Sequence, residues 1–289
     1  MLRRFRHAAR VRLVDAVREG TRLSGVQGEL SELRDEVRAL HQRLDAVDAG
    51  LRDYMWWWER RQRRDVLTAV DYEALKTSAA FVRAEFGPAE PHPNKTDTLR
   101  AALACAPQEG LFLEFGVATG STLKVIVEKA PAGSVHGFDS FEGLPEHWRP
   151  GFPAGAFATE QLPAVPGANL VVGWFDDTLP GFLKEYPDPV AFLHLDADLY
   201  SSTRTVLEAL ADRLREGTVI LFDEYFNYPG WEEHEHRAWT EFVAEHGLRF
   251  EYLGYTADDE QVAVRLLNAP QASGDDATAG ARSLEGSRS

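Results

Sequence analysis

Two carboxylates one residue apart, Asp196 and Asp198, stand in the stretch HLDADLYSST directly after the apolar run VAFLHL, and a second acidic pair, Asp223 and Glu224, follows another such run, TVILF. Both runs read as buried strands. Each pair then sits at a strand's carboxyl end, where open α/β sheets place their ligand crevice. If the two strands are neighbours, about 4.8 Å apart, Asp196, Asp223 and Glu224 converge on one point. Uncompensated, they would repel, so a cation must sit there or at least one acid must be protonated or paired. An all-oxygen set without His or Cys favours Mg²⁺ over Zn²⁺, with those three side chains as ligands. Such an ion stabilises the alkoxide developing from a bound hydroxyl, and Asp198 is placed to take the proton as general base. The competing reading makes Asp196 and Asp198 caps of a helix that begins near Ser201.

A second constellation lies upstream. LFLEFGVATGSTLKVIVEKA reads as strand, turn and helix, and Gly116 and Gly120 let the backbone approach a ligand at the helix N-terminus. Ala118 and Ser121 complete the turn. Glu114 stands where a pyrophosphate-binding turn keeps an apolar residue or glycine. A carboxylate there repels pyrophosphate and suits an ammonium group, such as that of the methionine part of S-adenosylmethionine. Asp139, with Ser140 beside it, ends the next strand in GFDSFEGLPE and is placed to accept hydrogen bonds from ribose hydroxyls; the alternative is a turn or cap residue. After a third strand, GWFDDTLP offers Trp174 and Phe175 either to flank an adenine ring or to join the core.

The positioning elements follow from the alternation of short apolar runs with amphipathic stretches, the pattern of a mostly parallel α/β sheet. GLFLEF, SVHGF, NLVV, VAFLHL and TVILF are strands, and LRFEYLGY and QVAVRLL a closing antiparallel pair. Before them, Leu23, Val26, Leu30, Leu33, Val37, Leu40, Leu44, Val47, Leu51 and Tyr54 alternate steps of three and four, the a/d pattern of a coiled coil. Pairing of Glu29 with Arg34, Glu36 with His41 and Arg43 with Asp48 suits a parallel homodimer or higher oligomer; a long helix folded back on its own domain is the alternative. Trp56, Trp57 and Trp58 cannot share one helix stripe, so some meet the catalytic domain, a partner or a lipid interface. The expected organisation is a basic helix and coiled coil over 1–65, the α/β domain over 66–268, and a disordered tail over 269–289, small and polar in composition.

Composition narrows the function. The 289 residues carry a formal net charge of -15 and are 44% hydrophobic, enough for one core-bearing domain with appendages. The first 64 residues are net basic and the rest strongly acidic, which argues against nucleic acid as partner. No apolar run approaches the roughly 18 residues of a membrane span, and the basic start lacks the apolar stretch of a signal peptide, so a cytoplasmic protein is expected. The single cysteine, Cys105, excludes an intrachain disulfide framework and is expected to be a small buried residue. Glu232 and His236 in WEEHEHRAW read as an exposed helical face, and His194 as a satisfied core histidine. Residues 88–98 and 145–163 are expected to form a lid, with Lys95 and Thr98 as candidate substrate contacts.

LEFGVATGSTL, GFDSFEGLPE, GWFDDTLP, HLDADLYSST and ILFDEY, in that order, resemble the macrocin O-methyltransferase family, class I methyltransferases acting on sugar hydroxyls of macrolide and aminocoumarin antibiotics. The resemblance spans about residues 68 to 267. It implies a Rossmann-like, seven-stranded, mostly parallel sheet with an antiparallel last strand, and S-adenosylmethionine over the strand ends. The methionine amine would lie near Glu114 and the ribose at Asp139, with Asp196 as metal ligand and Asp198 as base. The family carries two aspartates where this chain has Asp223 and Glu224, and the longer arm is expected to alter coordination. The expected function is therefore an S-adenosylmethionine-dependent, Mg²⁺-assisted O-methyltransferase of antibiotic biosynthesis, acting on a sugar or glycosylated natural product. The alternatives are a catechol-like phenol as acceptor, or a coiled-coil scaffold carrying a degenerate methyltransferase domain.

Overall fold

The computed structural model describes residues 2 to 271, so the expected disordered tail lies outside the described residues from position 272 onward. The chain divides into two compact units, the first ending at Ala69 and the second beginning at Val70.

In the first unit a single helix, α1 (Leu2–Arg64), runs for 63 residues, about 95 Å at 1.5 Å per residue. It contains no proline, and Gly20, Gly28 and Gly50 stand where an added Cβ would meet nothing. Ion pairs at helical spacing, Arg52 with Asp48 and Arg63 with Glu59, support its surface by a few tenths of a kcal/mol each. The heptad residues from Val26 to Tyr54 are solvent-exposed, Leu40 by 59% and Leu44 by 65%; the side chains of Leu23 and Glu29 lie outside the described residues. Tyr54 stacks on Trp57 and Trp58, and Arg60 and Arg61 lie over Trp56 and Trp57. All three tryptophans remain exposed. Among the described residues no helix is long and apolar enough to cross a membrane.

After α2 (Val66–Glu85), the elements in chain order are β1 (Glu90–His92), α3 (Lys95–Cys105), β2 (Leu111–Phe115), α4 (Ser121–Lys129), β3 (Val135–Asp139), β4 (Ala168–Val172), α5 (Phe175–Glu185), β5 (Val190–Leu195), α6 (Tyr200–Leu210), β6 (Val219–Phe222), α7 (Glu235–Glu245), β7 (Phe250–Thr256) and β8 (Val262–Leu266). One sheet takes the order β1-β7-β8-β6-β5-β2-β3-β4. All pairings are parallel except those of β8, which runs antiparallel to both β6 and β7.

Every residue of β2, β5 and β6 is buried, because helices cover both faces of the sheet, and this explains why those strands read as unbroken apolar runs. On one face Leu179 and Phe182 of α5, Val206, Leu207 and Leu210 of α6, and Trp239 and Phe242 of α7 form the core. On the other, Leu99, Ala102 and Leu103 of α3 meet Leu123 and Ile126 of α4. Each such side chain, fully buried, contributes about 1.5 to 3 kcal/mol. Asn94 starts α3 as an N-cap, its side chain accepting from Asp97 N at 3.0 Å.

Three expectations are corrected. The sheet has eight strands rather than seven, because β1 adds to β7 at the edge; at three residues including Pro91 it has no sequence signal, and an edge is where a sheet tolerates proline. Within residues 88–98, 90–92 form this edge strand and α3 begins at Lys95, which lines the cavity described below, whereas Thr98 is buried against the Thr256 hydroxyl at 2.7 Å. Cys105 is exposed at the end of α3, since Leu99, Ala102, Leu103 and Ala106 take the buried positions there.

Candidate functional site

The strand tips are aligned by the hydrogen-bond ladder itself. Phe115, Leu195 and Phe222 are register partners across β2, β5 and β6. Asp196 N then donates to Phe115 O at 2.9 Å, Asp223 N to Leu195 O at 2.8 Å, and Gly116 N to Phe138 O at 2.9 Å. The first residue beyond each strand is thereby held beside its neighbour, and the chemistry-bearing positions Gly116, Asp196 and Asp223 fall in one row. Close approach is enforced at Gly116, with φ +92: a Cβ there would lie 1.8 Å from the Asp196 carbonyl oxygen.

A cavity of about 650 Å³ opens over this row. Gly116, Ala118, Asp139, Ser140 and Trp174 line it together with Asp196, Asp198, Asp223, Glu224 and Lys95. Gly120 and Ser121 do not; Gly120 is the N-cap of α4 without a side-chain cap, and Ser121 opens that helix. Asp139 braces the turn: its Oδ2 accepts from Val117 N and Ala118 N at 2.9 and 2.8 Å, and its Oδ1 from Phe141 N at 2.7 Å. It is thus a turn residue as well as a cavity wall. Trp174 stands at the N-cap position of α5 without a side-chain capping bond, and Phe175, which also lines the cavity, packs edge-on to Phe115.

The carboxylates fall into two overlapping groups. Ligand atoms of Asp196, Asp198 and Glu224 lie within 4.8 Å of one another, and so do those of His194, Asp196 and Asp223. Neither aspartate caps α6, whose N-cap is Leu199 with no side-chain capping bond and no acid in its first turn. Asp198 is instead held at φ +60, a left-handed conformation costly for a residue other than glycine and a recurrent mark of functional sites. Burial raises Asp198 to about 7, against the lowering influence of Arg149. Burial and the charge of Asp223 push Asp196 and Glu224 well above the usual carboxylate range. Asp223 goes the other way: burial would raise it, but His194, whose Nε2 lies 3.5 Å from its Oδ1, and the Lys95 ammonium, 3.9 Å away, hold it low.

Glu114 departs from expectation. The register pairs it with His194 across β2 and β5, and its Oε1 lies 2.9 Å from His194 Nδ1. It is fully buried, its Oε2 has no partner among the described residues, and it does not line the cavity. His194 therefore takes the place given to an ammonium ligand. Burial would lower its pKa, but Asp223 and Glu114 raise it to about 10, making it an internal cation. A core histidine it is, but one that ties the glycine-turn strand to the carboxylate row.

Sequence reasoning missed two residues. Glu235, expected on an exposed face, is fully buried, and its Oε2 accepts from Glu224 N at 3.1 Å; burial pushes it well above the carboxylate range. Its neighbour His236 is largely enclosed by Phe81, Tyr225 and Trp231, and burial lowers it to about 4. These are tertiary contacts, Glu235 with the Glu224 backbone and His236 with three rings, and charge pattern alone does not reveal them. Arg149 sits over Trp148 and Tyr228 at 3.9 and 4.6 Å and bonds both oxygens of Glu260. It lies in the irregular stretch between β3 and β4, where no periodicity marks it.

Residues 113–225 match a family model described as a methyltransferase domain. The sheet order, the antiparallel last strand and the glycine turn give this domain the class I methyltransferase fold. Over 57 residues the chain is 42% identical to an enzyme of Streptomyces olivaceus named 8-demethyl-8-(2,3-dimethoxy-alpha-L-rhamnosyl)-tetracenomycin-C 4'-O-methyltransferase; the match covers 20% of this chain and 21% of that one. Among solved structures it is similar to the calicheamicin methyltransferase CalS11, with 25% identity, 59% of this chain and 76% of that chain covered, and a TM-score of 0.47. The O-methyltransferase NovP gives 23% identity, coverages of 59% and 78%, and a TM-score of 0.46.

Proposed function

We propose that the chain is an S-adenosylmethionine-dependent O-methyltransferase acting on a hydroxyl of a sugar or glycosylated natural product, assisted by Mg²⁺. The observation that carries this reading is the meeting, in one cavity, of the glycine turn with Asp139 and the carboxylates of Asp196, Asp198 and Glu224. The named activity of the tetracenomycin relative supports the sugar hydroxyl as acceptor. It also favours a sugar over a phenol, and the presence of an acid at every expected catalytic position favours an enzyme over a scaffold.

In this reading the backbone of Gly116 and Ala118 and the side chain of Trp174 hold the methyl donor, with ribose hydroxyls donating to the remaining lone pairs of Asp139. Asp198 accepts the acceptor's hydroxyl proton while the oxygen takes the methyl group and the sulfonium carbon–sulfur bond breaks, releasing S-adenosylhomocysteine. The donor set fits a hard cation: all its members are oxygens, and Glu224 Oε2 is buried with no partner among the described residues. Asp196 and Glu224, with Asp223 beside them, would hold Mg²⁺. A bound cation would lower the pKa of the acceptor hydroxyl, so that a carboxylate suffices as base.

Calorimetric titration with S-adenosylhomocysteine in Mg²⁺ buffer is expected to give saturable one-site binding; none at millimolar ligand would count against the reading. Adding EDTA is expected to leave that binding in place and remove most methyl transfer. Unchanged turnover in EDTA would sink the metal assignment.

The exposed heptad face of α1 supports pairing with a second copy of the chain. Replacing Leu40 and Leu44 together by Asp puts charges into that seam. Sedimentation analysis is expected to show the parent as a dimer or higher oligomer and the double variant as a monomer; equal masses would argue against the pairing.

A further inference from the structure

The sheet's own ladder stops short of Glu224. β6 ends at Phe222, and the bond that continues its pairing with β5 runs from Asp223 N to Leu195 O at 2.8 Å. Beyond it, side chains from other parts of the domain take over. Gln261, just before β8, donates from Nε2 to Asp223 O at 3.1 Å. Glu235, the first residue of α7, accepts from Glu224 N at 3.1 Å through its Oε2. The Tyr228 hydroxyl donates to Glu224 O at 3.3 Å, and Tyr225 N reaches Glu260 O at 3.0 Å. The peptide groups on both sides of Glu224 are thereby held by tertiary partners.

Glu235 is the unexpected member of this set. It is fully buried, and its Oε1 has no partner among the described residues. An apolar side chain there would carry no desolvation cost, and one hydrogen bond to a neutral backbone group does not offset the burial of an acid. Local stability therefore does not account for it. Nor does Glu235 line the cavity, so whatever it does there is done through Glu224.

Glu224 is a residue that needs such help. Glutamate has one more rotatable bond to order than aspartate, and a carboxylate on a longer arm keeps its place only if the backbone beneath it is fixed. Its Oε2 is buried with no partner among the described residues, and its ligand atom lies within 4.8 Å of those of Asp196 and Asp198. The backbone of Glu224 is bonded on both sides, and its carboxylate keeps an oxygen free. That is the arrangement of a ligand oriented from behind by its surroundings.

We infer that Glu235 is a positioning residue for the metal ligand Glu224: it holds Glu224 N while Tyr228 holds Glu224 O, and this clamp fixes the backbone from which the long arm reaches Mg²⁺. The inference rests on the Mg²⁺-assisted function proposed above. The clamp needs an acceptor oxygen at that reach, which glutamine also supplies and leucine does not. It takes no part in proton or methyl transfer.

The test follows Mn²⁺, whose free ion is counted by its paramagnetic resonance signal, added at fixed pH to the full chain saturated with S-adenosylhomocysteine. The portion of binding that Asp196→Asn removes is assigned to the carboxylate row, which separates it from any ion taken by Glu208, Glu245 and His246. Glu235→Leu is expected to weaken Mn²⁺ at the row about tenfold or more, the range for loss of a group that orients a ligand. Glu235→Gln should stay within about threefold of the parent, and both variants should bind S-adenosylhomocysteine as the parent does. Unchanged Mn²⁺ affinity in Glu235→Leu would overturn the inference. So would a Glu235→Gln protein as weak as the leucine variant, because the charge and not the clamp would then act on the ion. Loss of S-adenosylhomocysteine along with Mn²⁺ would mark general damage and overturn it too. Should Glu235→Leu not fold, Tyr228→Phe opens the other side of the clamp by removing one hydroxyl; a loss of about threefold in Mn²⁺ affinity is expected, and none would overturn the inference. A parent that binds no Mn²⁺ at the row would strike the metal assignment itself and the clamp with it, whereas a parent that binds and a leucine variant that binds equally would strike the clamp alone.

Discussion

An Asp198→Asn protein is expected to bind S-adenosylhomocysteine as the parent does and to lose about three orders of magnitude in turnover, the range assigned to a positioned general base. The substitution is nearly isosteric and removes the one property the role requires, the capacity to take a proton. It should not damage the fold. Asn adopts the left-handed backbone at least as readily as Asp, so the φ of +60 at this position is kept. Loss of one charge also relieves repulsion among Asp196, Asp198 and Glu224, whose ligand atoms lie within 4.8 Å, so thermal stability should hold or rise. Calorimetry for the cofactor product and initial rates of methyl transfer make the comparison. A variant with turnover within tenfold of the parent would remove Asp198 from the mechanism.

The acidic doublet behind this role was legible in the sequence, and the reason is local. VAFLHL and TVILF are unbroken apolar runs because β5 and β6 are buried on both faces, and the carboxyl end of a buried parallel strand leads out into the ligand crevice. The features that were not legible depend on register and on irregular backbone. Glu114 looks like an amine ligand along the chain, yet cross-strand pairing sets it against His194. The burial of Glu235 comes with its tertiary contact to Glu224 N, and the strand β1 depends on an edge left open by β7. Arg149 and Phe157 lie in the long connection between β3 and β4, where no period constrains a side chain's direction and only tertiary hydrogen bonds fix it. The glycine turn was legible as a ligand approach, but the same glycine also serves a second, structural contact.

That second contact makes Gly116→Ala the most damaging small substitution expected in the domain. The added methyl would sit 1.8 Å from Asp196 O and 2.8 Å from Asp196 C, both backbone atoms that cannot swing aside as a side chain would. Two costs combine: an unfavourable positive φ, about 1 to 2 kcal/mol, and overpacking, about 1 to 3 kcal/mol. A loss of roughly 3 kcal/mol or more follows, or about 6 to 12 °C in Tm for a domain of this size. The damage is also directed. Asp196 N is bonded to Phe115 O, so relief of the clash separates β2 from β5 at the point where the turn meets the carboxylate row. Cofactor affinity and turnover should therefore fall together, even at temperatures where the variant stays folded. Gly133→Ala is the comparison, since Gly133 also has a positive φ, +84, but nothing lies within 4 Å of the place its added methyl would take. It should cost only the backbone strain, about 1 to 2 kcal/mol, and leave turnover intact. If thermal denaturation shows the two variants equally destabilised, and both remain active, the close approach of Gly116 to Asp196 is not what holds the turn against the acidic row.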